Sequence, residues 1–148
     1  YSYLESYKET LDMRDKGQGD YPAWYAFGRT QAINDHGIRM YFPYMSDKPH
    51  FVISEQQDLL MYCGYAIFCD DVRELKVMKR LLESDVCDYY IKNSSKPYSA
   101  NYYAYAKNYV KNFGIYPMSK EQKKTLLGLR SKEEINRYVA DLYQLNIV

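Results

Sequence analysis

The sequence predicts an α+β fold, with a small antiparallel sheet of about three to four short strands packed against about four to five helices. Three observations point there. Strand-like segments, Ile38–Phe42, His50–Ser54 and Tyr65–Cys69, gather in the first half, with Pro43 and Pro49 bracketing the first connection. Segments after Asp71, Ser119 and Ser131 carry apolar residues at helical spacing behind capping signals. A chain of 148 residues, 47% hydrophobic and 26% charged, has the size and composition of one domain with its own core.

Taken in order, Tyr3, Leu4, Tyr7 and Leu11 fall at helical spacing and predict a first helix. It should end in the charged, glycine-containing loop 14–20. Trp24-Tyr-Ala-Phe27 follows, then the polar stretch 28–34. After the three strands, Asp71 with Glu74 forms a capping-box-like start. Val72, Leu75, Met78, Leu82, Val86 and Tyr89 then make one apolar stripe over about five helical turns. The polar segment Lys92–Asn101, containing Pro97, predicts an ordered loop. From Tyr102 the spacing turns helical again, with Tyr105, Tyr109 and Phe113 on one side and Lys107 and Lys111 on the other. Two capped helices close the chain: Ser119 with Gln122 starts one, and Ser131 with Glu134 starts the other, whose apolar face is Ile135, Tyr138, Val139 and Leu142. No repeat or low-complexity tract divides residues 1–148, which are expected to form one domain.

Tyrosine is in excess, 19 against 12 leucines. It joins apolar area to a hydroxyl and loses little entropy when fixed, which suits a recognition surface. The net charge of +1 conceals an asymmetry. Residues 1–91 hold 10 basic and 15 acidic side chains, a balance of −5; residues 92–148 hold 10 and 4, a balance of +6. That favours an anionic partner for the second half, a solvated lysine-rich face being the plainer alternative. The longest apolar run, Tyr65–Cys69, is far below the roughly 20 residues of a membrane span, so no membrane partner is expected. Cys63, Cys69 and Cys87 lack metal-ligand spacing and are read as buried thiols in a reducing cytoplasm. No signal peptide is recognisable, and the chain, which opens at Tyr1 inside a helical pattern, is read as a piece of something longer.

No phosphate-binding glycine loop, nucleophile elbow or metal-ligand set is visible, and no catalytic or metal residue is assigned. Asp58 and Glu74-Leu-Lys76 superficially resemble a nuclease cluster, but helix capping accounts for Glu74 and Lys76 lies off the apolar stripe. Two segments look like recognition devices. In Trp24-Tyr-Ala-Phe-Gly-Arg-Thr-Gln31, Trp24 and Phe27 are read as core, as large rings usually are. Arg29 and Gln31 are types that read guanine and adenine edges, although Arg29 could equally pair a carboxylate. The second segment is Lys92–Lys111, where lysine, serine and asparagine interleave with tyrosine, the set that meets phosphates and bases. There Tyr105, Tyr109 and Phe113 are assigned to the core, and Tyr98, Tyr102 and Tyr103 to contact. Among the other tyrosines, Tyr7, Tyr65, Tyr89 and Tyr138 also fall at positions expected to be buried.

Together these segments resemble a known family. Tyr21-Pro-Ala-Trp-Tyr-Ala-Phe-Gly-Arg-Thr-Gln31 is similar to the W-Y-x-x-G-R-(S/T)-Q signature of the TaqI-like C-terminal specificity domain of adenine-specific DNA methyltransferases, including fused restriction-modification enzymes. Arg14-Asp-Lys-Gly17 before it is similar to the family's charged stretch; Tyr62–Phe68 and Leu75–Tyr90 resemble its central strand and following helix. Residues 94–115 resemble its closing block S-K-P-(Y/F)-S-G-G-Y-Y. The blocks span roughly 1–117 in order; the helical tail 118–148 lies outside them. Ala100 and Asn101 stand where the family has paired glycines, and Gly114 where it usually has proline.

The resemblance implies a sequence-specific double-stranded DNA recognition module of a bacterial or archaeal cytoplasmic enzyme. A separate methyltransferase domain of the same parent would hold S-adenosylmethionine and perform the chemistry on the flipped adenine. This piece alone would have no cofactor and no activity. The expected DNA-binding set is Arg29, Thr30, Gln31, Lys92, Lys96, Tyr98, Ser99, Asn101, Tyr102, Tyr103, Lys107 and Lys111. In it Lys92, Lys96, Lys107 and Lys111 anchor phosphates, while Arg29, Gln31, Ser99 and Asn101 reach base edges. The alternative is a tyrosine-rich protein-interaction domain that never touches nucleic acid.

Overall fold

The computed structural model describes residues 1–28, 36–56, 59, 61 and 63–146. The chain divides into two compact units, Tyr1–Asp35 and His36–Val148.

In the first unit the expected single helix is two short ones, α1 (Ser2–Glu5) and α2 (Lys8–Asp12). Ser6 Oγ donates to the Tyr3 carbonyl at 2.7 Å, and Tyr7 leaves helical geometry at φ −114°, ψ 12°. Such local back-bonding competes with helix continuation. Tyr3, Leu4 and Tyr7 are exposed, so the stripe that included Tyr7 is not a buried face. After α2, Arg14–Gly17 turns sharply, with Asp15, Lys16 and Gly17 all at positive φ. That turn aims the Arg14 guanidinium back across the unit. It donates to the carbonyls of Leu11, Trp24 and Ala26, each at 2.9 Å, and lies 4.2 Å from the Tyr21 ring centroid. One side chain therefore fixes the segment 21–26 against α2. Trp24 is half-buried, packed edge-on with Tyr1 and Tyr25, with Lys8 Nζ 5.7 Å from its ring. Phe27 is 85% exposed, which corrects its assignment to the core.

The second unit is built on a sheet in the order β3-β1-β4, formed by β1 (Ile38–Phe42), β3 (Val52–Ser54) and β4 (Tyr65–Cys69), antiparallel throughout. Met40 of the central strand faces Ile53 on one side and Ile67 on the other; Phe42 faces Tyr65. Period-2 alternation thus gives Ile38, Met40 and Phe42 to one core face. Gly64 precedes β4 at φ 102°, and a Cβ there would lie 2.8 Å from the Phe42 carbonyl oxygen, so the close approach requires glycine.

The helix expected to run over five turns breaks into α3 (Val72–Leu82) and α4 (Asp85–Ser94). Asp71 caps α3, accepting from the Arg73 N–H at 2.7 Å. Glu74 does not complete a capping box; both its oxygens take Lys123 Nζ at 2.7 Å. Buried Ser84 caps α4 by accepting from the Cys87 N–H and donates to the Leu81 carbonyl at 2.6 Å. The break rotates the buried face. Leu75, Leu82 and Val86 are core as expected, but Leu81, Cys87 and Ile91 join them, and Tyr89 is 56% exposed.

The loop expected at 92–101 is shorter, since α4 reaches Ser94. The helix expected from Tyr102 starts with extended chain instead: β5 (Tyr103–Ala104) pairs antiparallel with β2 (Met45–Ser46), and only Lys107–Val110 is helical, as α5. Tyr105 and Phe113 are nonetheless buried. In the tail, α6 (Lys120–Gly128) and α7 (Lys132–Leu142) each begin with a complete capping box, Ser119 with Gln122 and Ser131 with Glu134. Leu126 of α6 and Val139 of α7 are fully buried in the cluster that holds Phe51, Leu75 and Ile91. The tail is part of this core. Of the three cysteines only Cys87 is buried; Cys69 is half-buried and Cys63 exposed. Among the described residues no helix is long and apolar enough to cross a membrane.

Candidate nucleic-acid interface

Residues 96–104 fold back on themselves as a hairpin. Ala104 N–H donates to the Lys96 carbonyl at 3.0 Å, Tyr98 N–H to the Tyr102 carbonyl at 2.7 Å, and Pro97 bridges Tyr103 antiparallel. At the tip, Tyr102 N–H reaches the Ser99 carbonyl at 3.3 Å across Ala100 (φ 58°) and Asn101 (φ 61°). Two consecutive positive φ values inside an i to i+3 turn are the geometry of a type I′ turn, which matches the twist of paired strands and favours Asn and Gly. The other end of the hairpin is pinned to β2, through Ser46 opposite Tyr103 and the Tyr105 N–H on the Tyr44 carbonyl at 2.7 Å.

This device gathers part of the expected set. Lys96, Ser99 and Asn101 are exposed on it, and so are Tyr98 (41%) and Tyr102 (43%). Tyr103 is half-buried, its ring 6.0 Å below Lys92 Nζ. Lys92 is not the free phosphate anchor expected, because its ammonium sits 2.6 Å from Asp88 Oδ2 one turn earlier in α4. Lys107 and Lys111 flank α5 as exposed residues without an ion pair among the described residues. Arg29, Thr30 and Gln31 lie outside the described residues.

Sequence reasoning missed Tyr44. It is exposed, its hydroxyl lies 3.3 Å from that of Tyr98, and its ring leans on Tyr65 of the sheet at 6.3 Å. Pro43 beside a tyrosine at a strand end was the available signal, a fixed turn presenting an aromatic. The Tyr98 phenol is raised above its ordinary value, first by the hydrogen bond with Tyr44, then by partial desolvation and by the nearby Tyr44 and Tyr109 hydroxyls. Tyr109 on α5 is thus in electrostatic reach of the hairpin, and Tyr90 Oη donates to its carbonyl at 3.3 Å. Beneath, the buried Tyr105 hydroxyl donates to Asp88 Oδ1 at 3.3 Å; burial and the Asp88 charge hold it protonated.

Chemically the arrangement offers ammonium groups at the base of a hairpin, hydroxyl and amide groups at its tip, and exposed phenol rings between. A two-stranded ribbon can enter a major groove. Of the nuclease-like residues, Glu74 is held by Lys123, and Asp58 lies outside the described residues.

No family model matches the chain, and a search of curated proteins finds no significant relative.

Proposed function

We propose that this chain is a DNA target-recognition module of the TaqI-like C-terminal specificity type. In this reading it holds a duplex for methyl transfer to adenine by a separate catalytic domain, to which S-adenosylmethionine belongs. The observation that carries the reading is the type I′ turn at Ala100–Asn101. Glycine pairs are the natural occupants of two successive left-handed positions, and these are the positions where the family block has them. Arg14 supports it independently: its hydrogen bonds to Trp24 and Ala26 give a physical reason for a charged, sharply turned block ahead of the Trp-Tyr block. Lys96, Lys107 and Lys111 take phosphates; Ser99 and Asn101 reach base edges from the tip, with Tyr98 and Tyr102 beside them. Arg29, Thr30 and Gln31 keep the base-reading role the resemblance gives them.

The test is anisotropy with labelled duplexes of about 25 base pairs over a salt series. Binding should weaken with salt, and Lys107→Gln or Lys111→Gln should each flatten the log-log slope by about 0.9 for every sequence. Asn101→Ala should leave that slope alone and reduce discrimination among sites enriched from a random pool. A duplex affinity that is absent at low salt, or indifferent to it, sinks the assignment. In that event the protein-interaction reading stands, favoured by the exposure of Tyr1, Tyr3, Met13, Tyr25 and Phe27 on the first unit.

A further inference from the structure

A cavity of about 400 Å³ is walled by the β2–β3 connection (Lys48, Pro49), the end of α3 (Arg80, Glu83) and the start of α7 (Arg130, Lys132, Ile135, Asn136). Four of its eight lining residues are cations and one is an acid. Where each charge is committed decides what the cavity can do. The Glu83 carboxylate accepts from the Phe51 N–H at 2.9 Å and pairs with Lys79 at 3.5 Å, so much of its charge is answered outside the lining. Lys132 lies a loose 3.6 Å from Asp85 at the rim, with both side chains more than half exposed, a pairing that contributes little. Asp85 is also engaged by Asn136, through its own N–H and through Asn136 Nδ2. Arg80 is anchored by one nitrogen, Nη1, to the carbonyls of Leu126 and Leu129, which holds its guanidinium in place rather than neutralising it. Lys48 and the Arg130 guanidinium have no ion pair among the described residues.

At the start of α7 the N–H groups of Arg130, Ser131 and Glu134 are already engaged. Glu134 accepts from the N–H groups of Ser131 and Arg130, and those bonds hold its carboxylate below the usual range. The positive charge of the cavity comes from side chains on three separate elements. Three positive charges without an ion pair among the described residues, around one concavity, exceed what a single carboxylate balances, and guanidinium forks suit tetrahedral oxyanions. We propose that this cavity is a phosphate-binding site, held by Lys48, Arg80 and Arg130 with Lys132 at its rim. The phosphate is either a phosphodiester of a bound duplex or a free phosphate-bearing anion. Lys48 follows Ser46, the residue opposite Tyr103, by two positions, so its backbone lies within about 7 Å of the strand that pins the hairpin. A duplex seated on the hairpin could continue its backbone toward the cavity. Only that source rests on the DNA-recognition reading; the site itself does not.

The experiment compares the full chain with the double variant Lys48→Gln/Arg130→Gln, both changes at exposed side chains, and with Lys124→Gln on the exposed face of α6 as control. Two probes are titrated, pyrophosphate by NMR and a 25-base-pair duplex by anisotropy, with melting curves to verify folding. We expect the double variant to lose at least tenfold in affinity for one or both probes and Lys124→Gln to stay within twofold. Loss of duplex affinity, with a slope lower by about 1.8, assigns a backbone phosphodiester. Loss for pyrophosphate alone assigns a free anion. If the unsubstituted chain ignores the duplex yet binds pyrophosphate here, the site stands and the DNA reading falls. Unchanged affinities in a folded double variant, or no binding of either probe by the unsubstituted chain, overturn the site.

Discussion

Ala100 holds φ 58°, ψ 35° with a Cβ that penalises this region, whereas its neighbour Asn101 is a residue that tolerates it. The left-handed conformation costs an alanine about 1 kcal/mol or more, offset in part by the lower unfolded-state entropy alanine has relative to glycine. Ala100→Gly should therefore stabilise the chain by about 0.5–1 kcal/mol, which for this size is roughly 1–4 °C in melting temperature. Ala100→Val should destabilise it, since β-branching worsens the same clash. A thermal melt in which the glycine variant is neutral or less stable would mean that the turn carries no strain. Little of this was legible residue by residue. The segment 92–101 reads only as an ordered loop, and the departure from a paired-glycine block alone pointed to a special backbone within it.

Ser84 shows how one element becomes two. Leu82 and Val86 are four apart, so the apolar stripe of the sequence passes through the break without interruption, and nothing in the periodicity marks it. The hydroxyl does, by offering the chain a cap: it accepts from Cys87 N–H and donates to the Leu81 carbonyl while 1% exposed. Ser84→Ala should cost about 1–2 kcal/mol in urea unfolding, combining a lost cap with a buried amide left unpaired. A cost below about 0.3 kcal/mol would show that the helix continues when the cap is removed. The same logic separates what was legible from what was not. The boxes at Ser119 and Ser131 were visible because both partners lie within three residues, and β1 and β4 because their side-chain pattern is local. β5 was hidden: its partner, Met45, is distant in sequence, while Tyr105, Tyr109 and Phe113 mimic helical spacing. In the interface, lysine and tyrosine types were readable but pairing was not, since Lys92 looks like a phosphate anchor until Asp88 is seen beside it.

Among the described residues, the buried side chains belong to His36–Val148, and the tail shares them. Leu126 and Val139 pack in one cluster with Phe51, Leu75 and Ile91, so the sheet, α3, α4 and the tail should unfold together. Among the described residues, two titratable side chains, Cys87 and Tyr105, are members of that cluster. Burial, then the Asp88 charge, pushes the Cys87 thiol from its ordinary 9.0 up to about 12, and the same causes in the same order raise the Tyr105 phenol above its ordinary 10.0. For each, the folded state keeps its proton at a pH where the unfolded chain has released it. Unfolding then releases protons, and stability must fall as pH rises. The contribution is fully present below pH 9, where both states are protonated, and is lost progressively between about 9 and 12 through Cys87 and from about 10 upward through Tyr105. Urea unfolding at a series of pH values from 7 to 11 should thus show a plateau up to about 9 and a steepening decline beyond. Tyr105→Phe deletes one of the two groups together with a long 3.3 Å hydrogen bond. It should lower the plateau by about 1 kcal/mol and make the decline shallower, because less proton release accompanies unfolding. A stability flat to pH 11, or a Phe variant with an unchanged slope, would place these protons outside the cooperative core.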